Sequence, residues 1–147
     1  MSKKSYWKNP EKYRETQRNW YKNKYQTDLN FRKKEQLRIN KWRRISPKGR
    51  YGTLVKNSKK RNMPIIISQN EFVDWYKNED AKCFYCNKPN KKECLEIERL
   101  DNNQPYKLDN IKFACHDCNS VKGNVLSKEE MQLVGKLVME KRWKKKT

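Results

Sequence analysis

The sequence predicts an α+β fold in which a small ββα module follows a long basic helical arm and precedes a C-terminal helix. The first observation behind this class is a run of helix-forming residues over positions 1–46 that contains no glycine. The second is a pair of Cys-x-x-Cys sequences with short apolar segments between them. The third is a pair of capping boxes, at residues 68–71 and 127–130, each of which predicts the start of a helix.

The composition predicts one small core and a polyanionic partner. The chain has 147 residues, of which 34% are hydrophobic and 37% are charged, and its formal net charge is +20. This excess of positive charge is larger than solubility requires, so nucleic acid is the expected partner. No stretch approaches the roughly 18 consecutive apolar residues of a membrane span, and the N-terminus lacks an apolar signal-peptide core. We therefore expect a soluble, intracellular protein with no membrane partner.

The charge is concentrated at the two ends of the chain. Residues 1–50 hold 17 basic and 4 acidic side chains, residues 51–135 hold 14 and 12, and residues 136–147 hold 6 and 1. A near-neutral middle between basic ends indicates a module that carries the chemistry, with flanking segments that attract phosphate. The predicted division is an aromatic-rich helical DNA-binding arm at 1–46, a module at 51–135 and a basic tail at 136–147.

The arm is predicted to be one long or broken helix that opens at Pro10 and Glu11. Its aromatic residues alternate with basic ones, and an extended basic helix is suited to a duplex groove. Alternatively, the aromatic rings pack the helix onto the module and the charges form its solvated face. The residues assigned to DNA contacts are Lys22, Lys24, Arg32, Lys33, Lys34, Arg38, Arg43 and Arg44.

Proline and glycine at residues 46–52 predict the end of the arm. Residues 64–67 predict a short buried strand or extended segment, and the first capping box predicts a helix after it. The second box predicts a C-terminal helix. The apolar face of that helix is expected to comprise Met131, Leu133, Val134, Leu137 and Val138.

Four cysteines have the spacing of a zinc site. Cys83 and Cys86 form one Cys-x-x-Cys pair, and Cys115 and Cys118 form another, with 28 residues between them. Each pair can present two thiolates from one tight turn, and two such turns complete a tetrahedral Zn²⁺ site. A redox dithiol and an iron–sulfur cluster are the alternatives. Four thiolates leave no open position on the ion, so the zinc is expected to be structural, and Cys94 is expected to be an ordinary half-buried residue.

A strand–loop–strand–helix pattern lies between and after these pairs. The first strand is expected from Leu95 into a polar turn at 101–103, and the second covers residues 111–114. The helix is expected to begin at Asn119.

The region 83–124 contains three further motifs, Ile97-Glu98-Arg99-Leu100-Asp101-Asn102, Tyr106-x-x-x-Asn110 and Cys118-Asn119-x-x-Lys122-Gly123. With these motifs the region resembles HNH endonucleases of the His-Me finger (ββα-metal) superfamily. It is most similar to phage members and to intron-encoded homing endonucleases. The resemblance implies a zinc-stabilised ββα-metal (HNH) module that hydrolyses DNA phosphodiester bonds with one Mg²⁺ or Mn²⁺ ion.

The resemblance also implies roles for individual residues. Glu98 occupies the position of the acidic metal ligand, and Asn119 that of the second ligand on the helix. Asn110 corresponds to the asparagine that braces the loop, and Lys122 is assigned to the nucleic-acid contacts. Arg99 stands where the family carries its histidine general base.

Arginine cannot serve as that base, because its pKa lies above 12. Arg99 is instead expected to hold the scissile phosphate by a bidentate contact. Proton removal would then fall to Asp101, Glu96, His116 or a hydroxide on the metal. In the alternative interpretation, Glu98 and Arg99 are only a surface charge pair, and the two asparagines act as turn and cap residues.

The sequence therefore predicts an endonuclease that nicks or cleaves double-stranded DNA, with structural Zn²⁺ and catalytic Mg²⁺ or Mn²⁺. The alternative is a catalytically inactive zinc-containing protein on the same scaffold that binds DNA or RNA. The abundance of lysine and asparagine suggests an AT-rich genome, as in a phage or an organelle. The expected location is the cytoplasm of a phage-infected bacterium, or an organelle.

Overall fold

The structure, a computed structural model, describes residues 9–139 and residue 141. The rest of the predicted basic tail lies outside the described residues. The chain divides into two compact units, Met1–Trp42 and Arg43–Thr147. Within the described part, no helix is both long enough and apolar enough to cross a bilayer.

The described part of the first unit, residues 9–42, contains α1 (Pro10–Thr27) and most of α2 (Leu29–Ile45). The last three residues of α2 belong to the second unit. Asn9 caps α1 by accepting a hydrogen bond from the Lys12 amide. The break falls at Asp28, whose side chain accepts from the Phe31 amide and so caps α2. Of the two predicted forms, one long helix or a broken one, the structure shows the broken helix, and the cause of the break is this aspartate cap.

Helix α3 (Pro47–Lys60) was not predicted, because Ser46 and Pro47 were interpreted only as helix-breaking residues. They end α2, but they also begin the next helix. The Ser46 hydroxyl accepts a hydrogen bond from the Gly49 amide, and Pro47 occupies the first turn, where a missing N–H costs nothing. Leu54 and Ser58, one turn apart, face the protein interior.

Of the two predicted forms of residues 64–67, a short strand or an extended segment, the strand does not form. Ile65 makes one isolated bridge to Tyr106, Ile67 is buried, and Ile66 is 69% exposed. The helix predicted after it is confirmed as α4 (Gln69–Asn78), which begins with a complete capping box between Ser68 and Glu71.

The predicted α+β fold is confirmed by a two-stranded antiparallel sheet and a short helix. Strand β1 (Glu96–Arg99) pairs with β2 (Ile111–Ala114), so that Glu98 lies opposite Lys112. Helix α5 (His116–Lys122) follows β2 directly. It begins three residues before the predicted Asn119, because Cys115 supplies its cap.

Two single turns of 3₁₀-helix flank the strands, at Lys92–Cys94 and Leu108–Asn110.

The predicted C-terminal helix is confirmed as α6 (Lys128–Val134), which begins with a complete capping box and continues into a π-helical turn at Gly135–Met139. Its predicted apolar face is only partly correct. Met131 is fully buried, whereas Leu133 and Leu137 are 67% and 66% exposed. The side chain of Val138 lies outside the described part.

Two adjoining groups of buried side chains form the interior of the second unit. One packs α3 and α4 against the sheet, and the other surrounds the cysteines. The first contains Leu54, Ile67, Phe72, Tyr76, Leu95, Tyr106, Ile111 and Phe113; the second contains Cys83, Tyr85, Ala114, Cys118 and Met131. The sheet lies between them and positions the residues between the cysteine pairs.

Candidate active site and metal centre

The four predicted cysteines converge on one point. Their sulfur atoms all lie within 4.8 Å of one another, with Cys83 and Cys118 buried and Cys86 and Cys115 half-buried. The first pair sits on a tight turn that Asn87 closes in the left-handed conformation (φ 57°). The second pair sits at the start of α5, where the Cys115 sulfur accepts from the Cys118 amide. This geometry fits a tetrahedral Zn²⁺.

Hydrogen bonds among the four thiols shift their pKa values in opposite directions, and they raise the pKa of Cys86 and of Cys118. A hydrogen bond with the Cys115 thiol is the main cause that lowers the pKa of Cys83. A hydrogen bond with the Cys118 thiol lowers the pKa of Cys115 to about 7. Cys94 lies apart and is exposed, so the expectation that it would be half-buried is wrong.

A cleft of about 560 Å³ lies over β1 and brings Glu98, Arg99 and Asn119 together. We call it the β1 cleft. Its lining is mostly polar and comes from the end of α3, from β1 and its loop, and from α5. The lining residues are Arg61, Met63, Ile97, Glu98, Arg99, Asn102, Asn103, Tyr106, Asn119, Gly123 and Asn124.

Glu98 is held at the edge of this cleft by a buried lysine. Its Oε1 lies 2.8 Å from Nζ of Lys122, and the two side chains are 10% and 0% exposed. Burial raises the pKa of Glu98 above its usual value, while the Lys122 and Arg99 cations act in the opposite direction. Glu98 is therefore a desolvated carboxylate, and one of its oxygens forms an ion pair with Lys122.

Lys122 does not contact solvent, so its predicted role in nucleic-acid contacts is wrong. Besides Glu98, its ammonium donates to the Arg99 carbonyl at 3.1 Å and to Asn102 Oδ1 at 3.0 Å. An ammonium has three hydrogen atoms, and here each one has an acceptor. A phosphate could not reach this group without breaking into the interior of the unit.

Arg99 also forms its hydrogen bonds within the protein. Its Nη1 donates to the carbonyl oxygens of Asn102 at 2.7 Å and Gln104 at 2.9 Å. The guanidinium also lies over the Tyr106 ring, 5.1 Å from its centroid, and the residue is 8% exposed. Arg99 thus holds the loop after β1 in place through Nη1, so the bidentate phosphate contact that the sequence predicts would have to use its Nε and Nη2 atoms.

Asn110 closes the same loop from the other side. Its Oδ1 accepts from the Asp101 amide at 2.8 Å, and its Nδ2 donates to the carbonyls of Asp101 and Pro105, each at 3.0 Å. The residue is 5% exposed. One side chain therefore connects both ends of the loop.

Asn119 is oriented by Glu96, which the sequence predicts only as a candidate base. Its Nδ2 donates to Oε2 of Glu96, whose other oxygen lies 2.8 Å from Nδ1 of His116. Glu96 and Glu98 share one face of β1, since side chains alternate along a strand. That spacing places Glu96 beside Glu98, but it gives no signal for the contact with Asn119.

The candidate bases are not gathered in the β1 cleft. Among its described lining residues there is neither Glu96, His116 nor Asp101. Asp101 instead lines a neighbouring cleft beside α6. His116 is largely exposed, and its hydrogen bond with Glu96 raises its pKa above the ordinary value.

The predicted DNA-contact residues of the arm divide into two sets. Lys22, Lys33, Lys34, Arg38, Arg43 and Arg44 are exposed. Lys24 and Arg32 are half-buried: Lys24 Nζ lies over the ring of Trp20, and Arg32 donates to the carbonyls at the end of α1. Arg32 thus satisfies backbone groups that would otherwise lack partners.

The two antiparallel strands, the helix after them and the cysteine cluster define an HNH-type ββα fold. No family model and no curated protein matches the sequence. Among solved structures, the chain is similar to the rare-cutting HNH restriction endonuclease PacI, with a TM-score of 0.56 and 26% sequence identity. The similarity covers 65% of this chain and 78% of that one. The predicted resemblance to HNH endonucleases is confirmed.

Proposed function

We propose that this protein is a metal-dependent endonuclease of the HNH type that hydrolyses phosphodiester bonds of double-stranded DNA, by nicking or by cleavage of both strands. The observation that carries the proposal is that Glu98 from β1 and Asn119 from α5 line one cleft beside a four-cysteine cluster. The similarity to the restriction endonuclease PacI supports this interpretation of the cleft.

The donor set of the cleft suits a hard divalent cation. Glu98 offers a carboxylate, and Asn119 offers its amide oxygen because its Nδ2 is already bonded to Glu96. Mg²⁺ and Mn²⁺ prefer such oxygen ligands. Lys122 holds one oxygen of Glu98 and so fixes the carboxylate in the cleft. A divalent ion bound there would stabilise the negative charge that develops on the phosphate.

The zinc belongs to the cysteine cluster and has a structural role in this proposal. Four thiolates leave the ion no position for water, so Zn²⁺ supplies folding free energy to a unit with a small core. Residues 51–135 form the zinc-containing module, with residues 1–46 and 136–147 as the basic segments that approach DNA. We place its activity in the cytoplasm of a phage-infected bacterium or in an organelle, as for phage or homing endonucleases.

One observation favours the second candidate, a catalytically inactive zinc-containing protein that binds DNA or RNA on the same scaffold. Arg99 replaces the expected histidine and is bonded to loop carbonyls. The histidine of this chain, His116, is not among the described residues that line the cleft. The two candidates make opposite predictions for hydrolysis.

Incubation of the purified protein with supercoiled plasmid and Mg²⁺ or Mn²⁺ tests the proposal. We expect nicked or linear product from the native chain, and a rate at least about 100-fold lower from Glu98→Gln and from Asn119→Ala. Glu98→Gln keeps an acceptor for Lys122, so the fold should survive. Cys94→Ser, at an exposed position outside the cluster, should cut like the native chain. If the native chain and both site variants leave the plasmid equally intact, the inactive binding protein is the correct candidate.

A further inference from the structure

The end of α3 carries a group of positive charges that the predicted DNA contacts do not include. Lys56, Lys59 and Lys60 have the i, i+3, i+4 spacing that places side chains on one face of a helix. They are exposed, whereas Leu54 and Ser58 face the interior. Arg61 follows at the end of the helix.

These four side chains have no counter-charge within the part of the chain that the structure describes. None of them forms an ion pair or a side-chain hydrogen bond with another described residue. Between Glu35 and Glu71 the sequence contains ten basic residues and no acidic one. Like charges at this spacing repel one another and destabilise the helix. A polyanionic partner would remove that repulsion.

Arg61 connects this group to the β1 cleft. The cleft is lined by three charged residues, Arg61, Glu98 and Arg99. Glu98 is bonded to Lys122, and Arg99 is bonded to loop carbonyls. Arg61 is exposed and has no such partner among the described residues. Its whole guanidinium is therefore available to bind an anion in the cleft.

We propose that Lys56, Lys59, Lys60 and Arg61, which we call the α3 ridge, hold the phosphate backbone of the DNA strand that enters the β1 cleft. Arg61 binds a phosphate oxygen in the cleft through its planar fork, and the three lysines bind phosphates further along the strand. The identity of the partner rests on the proposed function. The second unit therefore has a DNA-binding surface of its own, in addition to the contacts of the arm.

The test measures binding separately from hydrolysis. Fluorescence anisotropy with a labelled 30-base-pair duplex, in the absence of added divalent ions, gives the dissociation constant of the full chain over a range of salt concentrations. Each phosphate contact contributes about one unit to the slope of log K against log salt. We expect Arg61→Gln to reduce the slope by about 1, and the triple variant K56Q/K59Q/K60Q to reduce it by about 3. Arg61→Lys should retain most of the slope.

The matched control removes three exposed lysines of the same unit that lie outside the ridge and outside the basic segments proposed to approach DNA, as K77Q/K82Q/K91Q. We expect its slope to stay close to that of the native chain. If the ridge variants keep the native slope, or if the control reduces the slope by as much, the proposed binding of DNA by the α3 ridge is wrong. Native protein that binds through the ridge but cuts no plasmid would refute the proposed hydrolysis and leave the ridge intact. Native protein that cuts, with ridge variants of unchanged slope, would refute the ridge alone.

Discussion

The Lys122 ammonium lies 2.8 Å from the Glu98 carboxylate, inside the unit and not on its surface. Two further acceptors, the Arg99 carbonyl and Asn102 Oδ1, complete its hydrogen bonds. A buried ion pair is weak evidence for net stability, but the removal of one partner leaves an uncompensated buried charge. Lys122 therefore connects the folding of the unit to the position of a residue in the candidate site.

The first prediction concerns this ion pair. Lys122→Ala should lower the free energy of unfolding by about 3 kcal/mol, because Glu98 and two other acceptors lose their partner. Lys122→Met, which keeps the length of the side chain without its charge, should cost less. Chemical denaturation monitored by circular dichroism measures both. Equal stability of Lys122→Ala and the native chain would show that the pair does not form in solution.

The second prediction concerns the cysteine cluster. Replacement of Cys83 or Cys118 by serine should abolish the cooperative unfolding of the second unit and the bound zinc, because structural zinc sites contribute of the order of 10 kcal/mol. Elemental analysis should find one zinc ion per native chain. Cys94→Ser is the control, since this residue is exposed and outside the cluster. A melting curve unchanged by Cys83→Ser would rule out a structural metal at this site.

The third prediction concerns the pH dependence of His116. Its pKa is raised above the ordinary value of 6.5, chiefly by the hydrogen bond with Glu96. A histidine whose folded pKa is raised stabilises the fold fully below pH 6.5, and this contribution disappears as the pH rises through the folded pKa. Because the chain has one histidine, proton NMR should follow it directly.

In the same titration, Glu96→Gln should return the pKa of His116 to near its ordinary value. Asp117→Asn should shift it less, since Asp117 is a minor contributor. Equal pKa values in Glu96→Gln and the native chain would contradict the contact between Glu96 and His116.

Local sequence rules were sufficient for the elements whose signal lies within a few residues. The capping boxes at Ser68 and Ser127 predicted two helix starts, and the cysteine spacing predicted a cluster that the fold brings together. The same rules missed α3, because Ser46 and Pro47 are compatible both with the end of one helix and with the start of another. Periodicity also overestimated the buried apolar face of the C-terminal helix, since Leu133 in α6 and Leu137 in the π-helical turn after it remain exposed.

The site was harder to predict than the fold, because residue type does not show which partner a charged side chain binds. Lys122 and Arg99 were expected to contact phosphate, yet both donate to groups of β1 or of the loop that follows it. Those acceptors are mostly backbone carbonyls, which carry no signature in the sequence. Arg61 reaches the β1 cleft only because α3 and β1 pack in one unit, and that is tertiary information.

The fourth prediction concerns the arm. Deletion of residues 1–45 removes 15 basic and 4 acidic side chains but leaves Ser46, which caps α3. DNA affinity at low salt should fall by at least about tenfold, and its dependence on salt should become weaker, since fewer phosphates are neutralised. The zinc content and the melting transition of the second unit should remain, because its two groups of buried side chains lie within residues 54–131. In the truncated chain, the remaining slope of log K against log salt should become smaller still when Lys56, Lys59, Lys60 and Arg61 of the α3 ridge are replaced by glutamine. A truncated chain that has lost its melting transition would show that the second unit needs the arm to fold, and that binding and folding are not separable in this protein.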